Sequence, residues 1–298
     1  MRAVVTGANG FIGKALSNAL VSKQHTVSEI NRMNESGIFS NCNLYSKQDI
    51  KKIAAGIHEF KPDVIFHLAA KTSIEASWKS PFELMSENIT LGENLLEAIH
   101  SSDTNPLLVL ASSSAVYDDS PSVIAETFRL APSSPYAVSK LASETLALRY
   151  ANSIIVRPFF TIGAGRKGDI VDDWIRAIEK IKNSNSPGIL NVGDLSLERD
   201  YLDVDECSRI LIEIAEKGST REIYNVCSGT STSLENVCTS LMDITNGSTF
   251  IEIRSNAVQN TSSKKRVVGD TSKLSKLGIT PKFNLVASLK NIVEKKGI

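Results

Sequence analysis

The sequence predicts an α/β protein, a doubly wound parallel sheet with a smaller α+β domain in its second half. Three observations carry this. Short apolar runs alternate with amphipathic helical stretches as far as Arg157. Two of those runs, 64–70 and 106–111, are almost continuously apolar, as strands covered on both faces must be. A glycine turn separates the first run from the first helix. After Pro158 the alternation stops and Gly, Asn and Ser become more frequent. The expected division is 1–160 plus about 200–228 for the sheet domain, and about 161–199 plus 229–298 for the second.

Taken in order, 2–6 reads as a buried strand, followed by Thr6-Gly7-Ala8-Asn9-Gly10-Phe11-Ile12-Gly13 and a helix carrying Ala15, Leu16, Ala19 and Leu20. Gly7, Gly10 and Gly13 let the chain turn tightly and let backbone N–H groups approach a pyrophosphate at the helix N-terminus, the pattern of a Rossmann-type dinucleotide site. The spacing is G-x-x-G-x-x-G rather than the commoner G-x-G-x-x-G. A ligand-free glycine turn is the plainer reading, and the strand–turn–helix context argues against it.

A second strand, 25–30, ends at Asn31-Arg32. An acidic residue there usually holds the ribose hydroxyls of NAD. Its absence removes a charge that would repel a 2′-phosphate, and Arg32 supplies an attraction, so NADP is favoured and NAD stays possible. Asn41-Cys42-Asn43-Leu44 reads as a short third strand and 47–59 as a helix. The small residues closing the 64–70 run, Leu68-Ala69-Ala70, allow close approach of a cofactor, and His67 reads as a packed core histidine rather than a base.

Ser80-Pro81-Phe82-Glu83 is a strong start for a helix running to His100. The 106–111 strand runs into Ser112-Ser113-Ser114-Ala115-Val116-Tyr117, and 153–156 reads as the sixth strand. Helix signals follow at 173–182, at 204–216, and at Thr232-Ser233-Leu234-Glu235, a capping box. The segment 256–265 is the best candidate for a mobile loop.

Composition excludes several classes. The 298 residues are 42% hydrophobic and 22% charged with no net charge, which suits a soluble chain and argues against nucleic-acid or membrane-surface partners. Cys42, Cys207, Cys227 and Cys238 show no C-x-x-C spacing, so no disulfide framework or metal site is expected and a reducing compartment fits. No leader or spanning segment is evident, so a cytoplasmic protein is expected.

The chemistry centres on Ser134-Pro135-Tyr136-Ala137-Val138-Ser139-Lys140. Ser134 suits an N-cap and Pro135 the first helical position. Tyr136 and Lys140 are four apart and share a helix face. A phenol titrates near about 10, and a neighbouring ammonium would lower that value. The pair is a tunable acid/base if a substrate oxygen can reach it. Alone, a solvated helix face is the plainer reading.

With these pieces in place, the chain resembles the extended short-chain dehydrogenase/reductases, the NAD-dependent epimerase/dehydratase family acting on nucleotide sugars. The matching runs are TGANGFIG (6–13), HLAA (67–70), SSSAVY (112–117), SPYAVSK (134–140), RP (157–158), RDYLDVDE (199–206) and VGDTSKLSKLG (268–278), in family order over nearly the whole length. YNVCSG (224–229) and the VGDTSKL run most resemble the family's GDP-4-dehydro-6-deoxy-D-mannose reductases.

The resemblance implies roles. Tyr136 would exchange a proton at the sugar C4 oxygen, Ser113 would hydrogen-bond the same oxygen, and Lys140 would hold the nicotinamide ribose and lower the tyrosine pKa. The cofactor would rest on Gly7, Asn9, Gly10, Phe11, Ile12 and Gly13, on Asn31 and Arg32, on Leu68, Ala69 and Ala70, and on Asn43 and Leu44, where an aspartate often caps the adenine. Asn88 matches an asparagine bonded near the cofactor strand, with a helix-surface amide as the plainer reading. Arg199 would grip the diphosphate of the sugar nucleotide, with an ion pair to Asp200 or Asp203 as the alternative. Ser73 and Ser114 complete the substrate-facing set. A homodimer through helices 81–100 and 135–150 is also implied.

Departures narrow the activity. The acid pair of the family's dehydratases is replaced by Ser114 and Ala115, which cannot titrate, so 4,6-dehydration is not expected. Ala115 also stands where epimerase-reductases carry a cysteine, which removes 3,5-epimerisation by that route. Phe160 replaces an asparagine that commonly touches the diphosphate, so the diphosphate must be held differently or another nucleotide bound. The leading expectation is an NADP-linked reductase of a nucleotide-activated 4-keto-6-deoxy sugar. The alternatives are a 4-epimerase with tightly held NAD and a non-catalytic NADP-binding scaffold.

Overall fold

The computed structural model describes residues 1–31, 36–120, 122–184, 186–247, 250–255 and 265–297. Arg32 and 256–264, most of the expected mobile loop, lie outside the described residues. The elements in order are β1 (Arg2–Thr6), α1 (Phe11–Ser22), β2 (Thr26–Ile30), α2 (Ile50–Phe60), β3 (Val64–His67), α3 (Ile74–Lys79), α4 (Pro81–His100), β4 (Leu107–Ala111), α5 (Pro135–Ala147), β5 (Ser153–Pro158) and β6 (Phe160–Ile162). Then come α6 (Ile170–Asn183), β7 (Gly188–Val192), β8 (Glu198–Arg199), β9 (Tyr201–Asp203), α7 (Val204–Lys217), β10 (Ile223–Val226), β11 (Thr232–Ser233), α8 (Leu234–Ile244), β12 (Ile251–Ser255), β13 (Arg266–Val267), α9 (Ser272–Lys276) and α10 (Leu285–Lys296).

The central sheet has six parallel strands in the order β10-β5-β4-β3-β1-β2. The chain moves outward from β1 to β2, then returns to the other side of β1 with β3, so the strand order reverses at β1/β3. Crevices at such points are where open α/β sheets bind ligands, beyond the carboxyl ends of the strands. In register, Thr6 lies opposite His67, and His67 opposite Leu110.

Strand periodicity sets the two cores. Ala3, Val5, Phe66, Val109 and Ile154 face one side, packed with Leu16 and Leu20 of α1 and with Ile210, Leu211 and Ile214 of α7. Val4, Ile65, Leu108, Leu110 and Ile155 face the other, against Ile53 and Ile57 of α2 and Leu95 and Ile99 of α4. A third apolar cluster joins α6, α8 and α10 with β7, through Trp174, Ile178, Leu190, Leu241 and Leu289. Among the described residues, no helix is long and apolar enough to cross a membrane.

The structure corrects four local expectations. Asn41 to Leu44 is not a strand: the Asn43 side chain accepts the Tyr45 N–H at 3.1 Å, and that local bond turns the chain instead of letting it join a ladder. The sixth strand of the sheet is therefore β10. Ser80 makes no side-chain cap; its N–H donates to Ala76 O, linking α3 directly to α4. The cap of α8 is Ser233, bonded to the Asn236 N–H at 3.1 Å, one residue later than the Thr232 that the capping box offers.

Candidate active site

The glycine turn joins β1 to α1. Gly7 has φ of 72°, and a Cβ on it would lie 2.7 Å from the Ala69 nitrogen; one on Gly13 would lie 2.1 Å from the Gly7 oxygen. Neither position admits a side chain, so this turn packs backbone against backbone beside Leu68 and Ala69. Gly10 leads α1 with no side-chain cap and no acidic residue in its first turn. Those first N–H groups, with the partial positive charge of the helix end, suit a pyrophosphate. The residues here fit a dinucleotide. Asn9 is exposed, and Phe11 and Ile12 are half-buried beside the turn.

The strand ends are wired together behind it. Thr6 Oγ1 accepts the Ala69 N–H at 3.2 Å and shares a hydrogen bond with His67 Nδ1 at 2.8 Å. Burial, then the Lys140 charge, push the imidazole down to about 3, so it is a neutral packed group. At the rim, the Asn31 amide donates to the Glu29 carboxylate at 3.5 Å, bringing to this strand end an acidic group that the sequence reading did not consider. The Asn94 amide donates to the Leu44 carbonyl at 2.8 Å, holding the turn after Asn43 against α4.

Helix α5 carries Tyr136 and Lys140. The Ser134 hydroxyl caps it through the Ala137 N–H at 3.2 Å, and Pro135 takes the first position. Tyr136 is buried, with the Ser113 side chain acting on its phenol. Burial pushes the phenol above its ordinary value, while Ser113 and the charge of Arg166 pull it back. The ammonium expected to tune it is elsewhere: Lys140 Nζ reaches back to the Ala111 carbonyl at 2.8 Å, at the end of β4. The positive group acting on the phenol is Arg166, which sequence reasoning missed. Burial brings Lys140 itself down to about 8, opposed by Glu144 one turn on.

Arg166 follows the Gly163-Ala164-Gly165 turn after β6, a position with no periodic signal. Its Nη1 donates to Thr161 O at 2.9 Å, its Nε pairs with Asp169 at 2.7 Å, and its guanidinium lies 5.4 Å from the Phe11 ring centroid. Asn88 is buried rather than a surface amide. It donates to Lys71 O at 3.0 Å and Ser139 Oγ at 2.9 Å and accepts from Lys71 N at 2.8 Å, tying the loop after β3 to α5.

On the far side, Arg199 does not pair with Asp200 or Asp203. Its Nη1 donates to the carbonyls of Glu198 at 2.8 Å and Lys265 at 3.3 Å, and its guanidinium lies 5.4 Å from the Phe160 centroid. Asp200 turns inward, where its carboxylate receives Ser228 N at 2.7 Å, Ser228 Oγ at 2.6 Å, Gly229 N at 2.9 Å and Gly269 N at 3.1 Å. Ser114 is buried in the turn after β4, and Ser73 is exposed and caps α3 through the Ala76 N–H at 3.0 Å.

Comparison with known proteins agrees with this geometry. The chain is 28% identical to a GDP-6-deoxy-D-mannose reductase of Pseudomonas aeruginosa, over 98% of this chain and 96% of that one. It is also 28% identical to a GDP-6-deoxy-D-talose 4-dehydrogenase of Aggregatibacter actinomycetemcomitans, over 92% and 90%. The solved structure of RMD from Pseudomonas aeruginosa complexed with NADPH superposes with a TM-score of 0.86 at 25% identity, covering 99% of this chain and 98% of that one. Residues 3–227 match the profile of the NAD dependent epimerase/dehydratase family. With that match laid over the glycine turn and the Ser113–Tyr136 pair, the chain is an NAD(P)-dependent enzyme and belongs to the NAD-dependent epimerase/dehydratase family.

Proposed function

We propose that the chain is an NADP-linked reductase of a nucleotide-activated 4-keto-6-deoxy sugar, with GDP as the carrier. The observation that carries this reading is the buried Tyr136 phenol, acted on by the Ser113 side chain, in a chain whose β1–α1 glycine turn fits a dinucleotide. When bound, NADPH supplies the hydride that reduces the C4 carbonyl. Tyr136 gives its proton to the C4 oxygen while Ser113 holds that oxygen in place. Lys140, anchored on Ala111, holds the nicotinamide ribose. Asn88 positions the cofactor loop relative to α5. Arg199 grips the substrate diphosphate, and Ser73 and Ser114 line the sugar side. The second half, with its own apolar cluster, is the substrate-binding domain.

The test is incubation with GDP-4-keto-6-deoxymannose and NADPH, following loss of reduced cofactor. No consumption with GDP-, UDP- or dTDP-linked keto sugars would sink the reading.

One observation favours a second reading. The Glu29 carboxylate beside Asn31 would repel a 2′-phosphate and suit NAD, as in a 4-epimerase that keeps its cofactor. Stoichiometric NAD in protein purified without added cofactor would select it. A cytoplasmic homodimer completes the proposal. Ile74, Trp78, Phe82 and Val138 on α3, α4 and α5 stay exposed, Phe82 at 83%, which supports a second copy covering them. Sedimentation at micromolar concentration should give twice the 32.3 kDa chain mass.

A further inference from the structure

Phe160 opens β6, which runs parallel to β9 with Phe160 opposite Tyr201. Its ring packs between two neighbours. The Arg199 guanidinium lies 5.4 Å from its centroid, and the Tyr201 ring lies at 6.1 Å with the planes inclined at 58°. Phe160 nonetheless remains 38% exposed. Both hydrogen bonds of Arg199 use Nη1, to Glu198 O and Lys265 O. Among the described residues, its Nε and Nη2 make none, so those donors stay available for a ligand.

A guanidinium on a flexible stem samples many rotamers, and bidentate recognition of a phosphate needs its plane fixed. Two carbonyls and one ring fix it here. The contact lies within the range where an aromatic face attracts a cation. An asparagine at this position would supply one hydrogen bond to the substrate and no such seat.

We infer that Phe160 is a positioning residue for Arg199, exchanging a direct amide contact with the substrate diphosphate for an aromatic seat that orients the guanidinium. The inference rests on the nucleotide-diphosphate-sugar reading above. In this chain, diphosphate recognition runs through the Phe160–Arg199 pair, and the loss of the asparagine does not require a different substrate class.

The test is a double-mutant cycle on the full chain, reading KM and kcat for the GDP-linked keto sugar at saturating NADPH. Phe160→Leu keeps apolar bulk and removes the aromatic face. It should raise KM roughly fivefold to tenfold with kcat within about twofold and the KM for NADPH unchanged. Phe160→Tyr should match the parent. Arg199→Gln should raise KM further, and adding Phe160→Leu to it should change nothing more, because the ring acts only through the arginine. GDP binding by calorimetry should follow the same pattern without turnover.

Multiplicative single effects overturn the inference. So does an unchanged KM in Phe160→Leu beside a raised one in Arg199→Gln, or a lower KM in Phe160→Asn. If Arg199→Gln itself leaves KM and GDP affinity unchanged, the diphosphate role of Arg199 is what fails, and the positioning role falls with it.

Discussion

Arg157 and Glu144 form a two-pronged ion pair inside the protein, Nε to Oε1 at 2.9 Å and Nη2 to Oε2 at 2.7 Å, with the side chains 1% and 2% exposed. The same guanidinium lies 4.7 Å from the Tyr117 ring centroid and donates to Glu126 O at 3.2 Å. Because Glu144 sits on α5, one turn beyond Lys140, the pair clamps that helix to β5. Removing one partner strands a buried charge, so Arg157→Met or Glu144→Leu alone should cost about 3–5 kcal/mol. The double substitution should recover most of that. Denaturant midpoints measure it, and a double variant as unstable as the worse single one would contradict the account.

Tyr136→Phe keeps the ring and removes the proton. Turnover should fall by about 10²–10⁴ while NADPH affinity stays near the parent value. Cofactor fluorescence titration and steady-state rates separate the two effects. Activity that survives the change would mean another group protonates the C4 oxygen.

Arg166 acts on the same phenol as a positive charge that pulls its pKa down against burial. A proton donor must be protonated, so activity declines as pH rises through its pKa. Arg166→Met should move that alkaline limb to higher pH, and Arg166→Lys should move it less. A pH profile of kcat that does not shift in Arg166→Met would assign the limb to another group.

His67 is held neutral, its pKa lowered from 6.5 to about 3 by burial and the Lys140 charge. The unfolded chain takes up a proton below about 6.5 and the folded chain does not, so the unfolded state binds more protons and stability falls as pH drops from there toward 3. The loss amounts to a few kcal/mol across that window. His67→Gln lacks this titration. Its stability relative to the parent should improve steadily from pH 7 to pH 4 in parallel urea titrations, and a constant difference would count against it.

The sheet was legible because strands buried on both faces must be nearly continuous in apolar residues, and 64–67 and 107–111 are. Asn41 to Leu44 misled for a physical reason. Cys42 and Leu44 are buried while Asn41 is exposed and Asn43 half-buried, so the alternation is real, yet the Asn43 side chain turns the backbone. Side-chain burial can alternate without a ladder.

The candidate site was legible where local rules fix it. The glycines, the Ser134 cap and the Tyr136–Lys140 spacing are of that kind. Arg166 was not, because the reach of its charge to Tyr136 depends on the path of the chain after β6, some thirty residues downstream of the tyrosine. Nor could the i, i+4 spacing tell whether Lys140 would face the phenol or the Ala111 carbonyl; a long side chain takes whichever acceptor the buried strand end offers. Phe160 read as a lost hydrogen bond because a sequence reports which donor is missing and not what the ring touches.

The four donors gathered on Asp200 come from two distant stretches, 228–229 and 269, so one carboxylate staples the segment bearing Arg199 to the turn after β10 and to the segment after β13. Halves riveted at such a point cannot come apart one after the other. Heated in a calorimeter, the chain should trace a single endotherm, with no early shoulder from the cluster of α6, α8 and α10 melting away from the sheet.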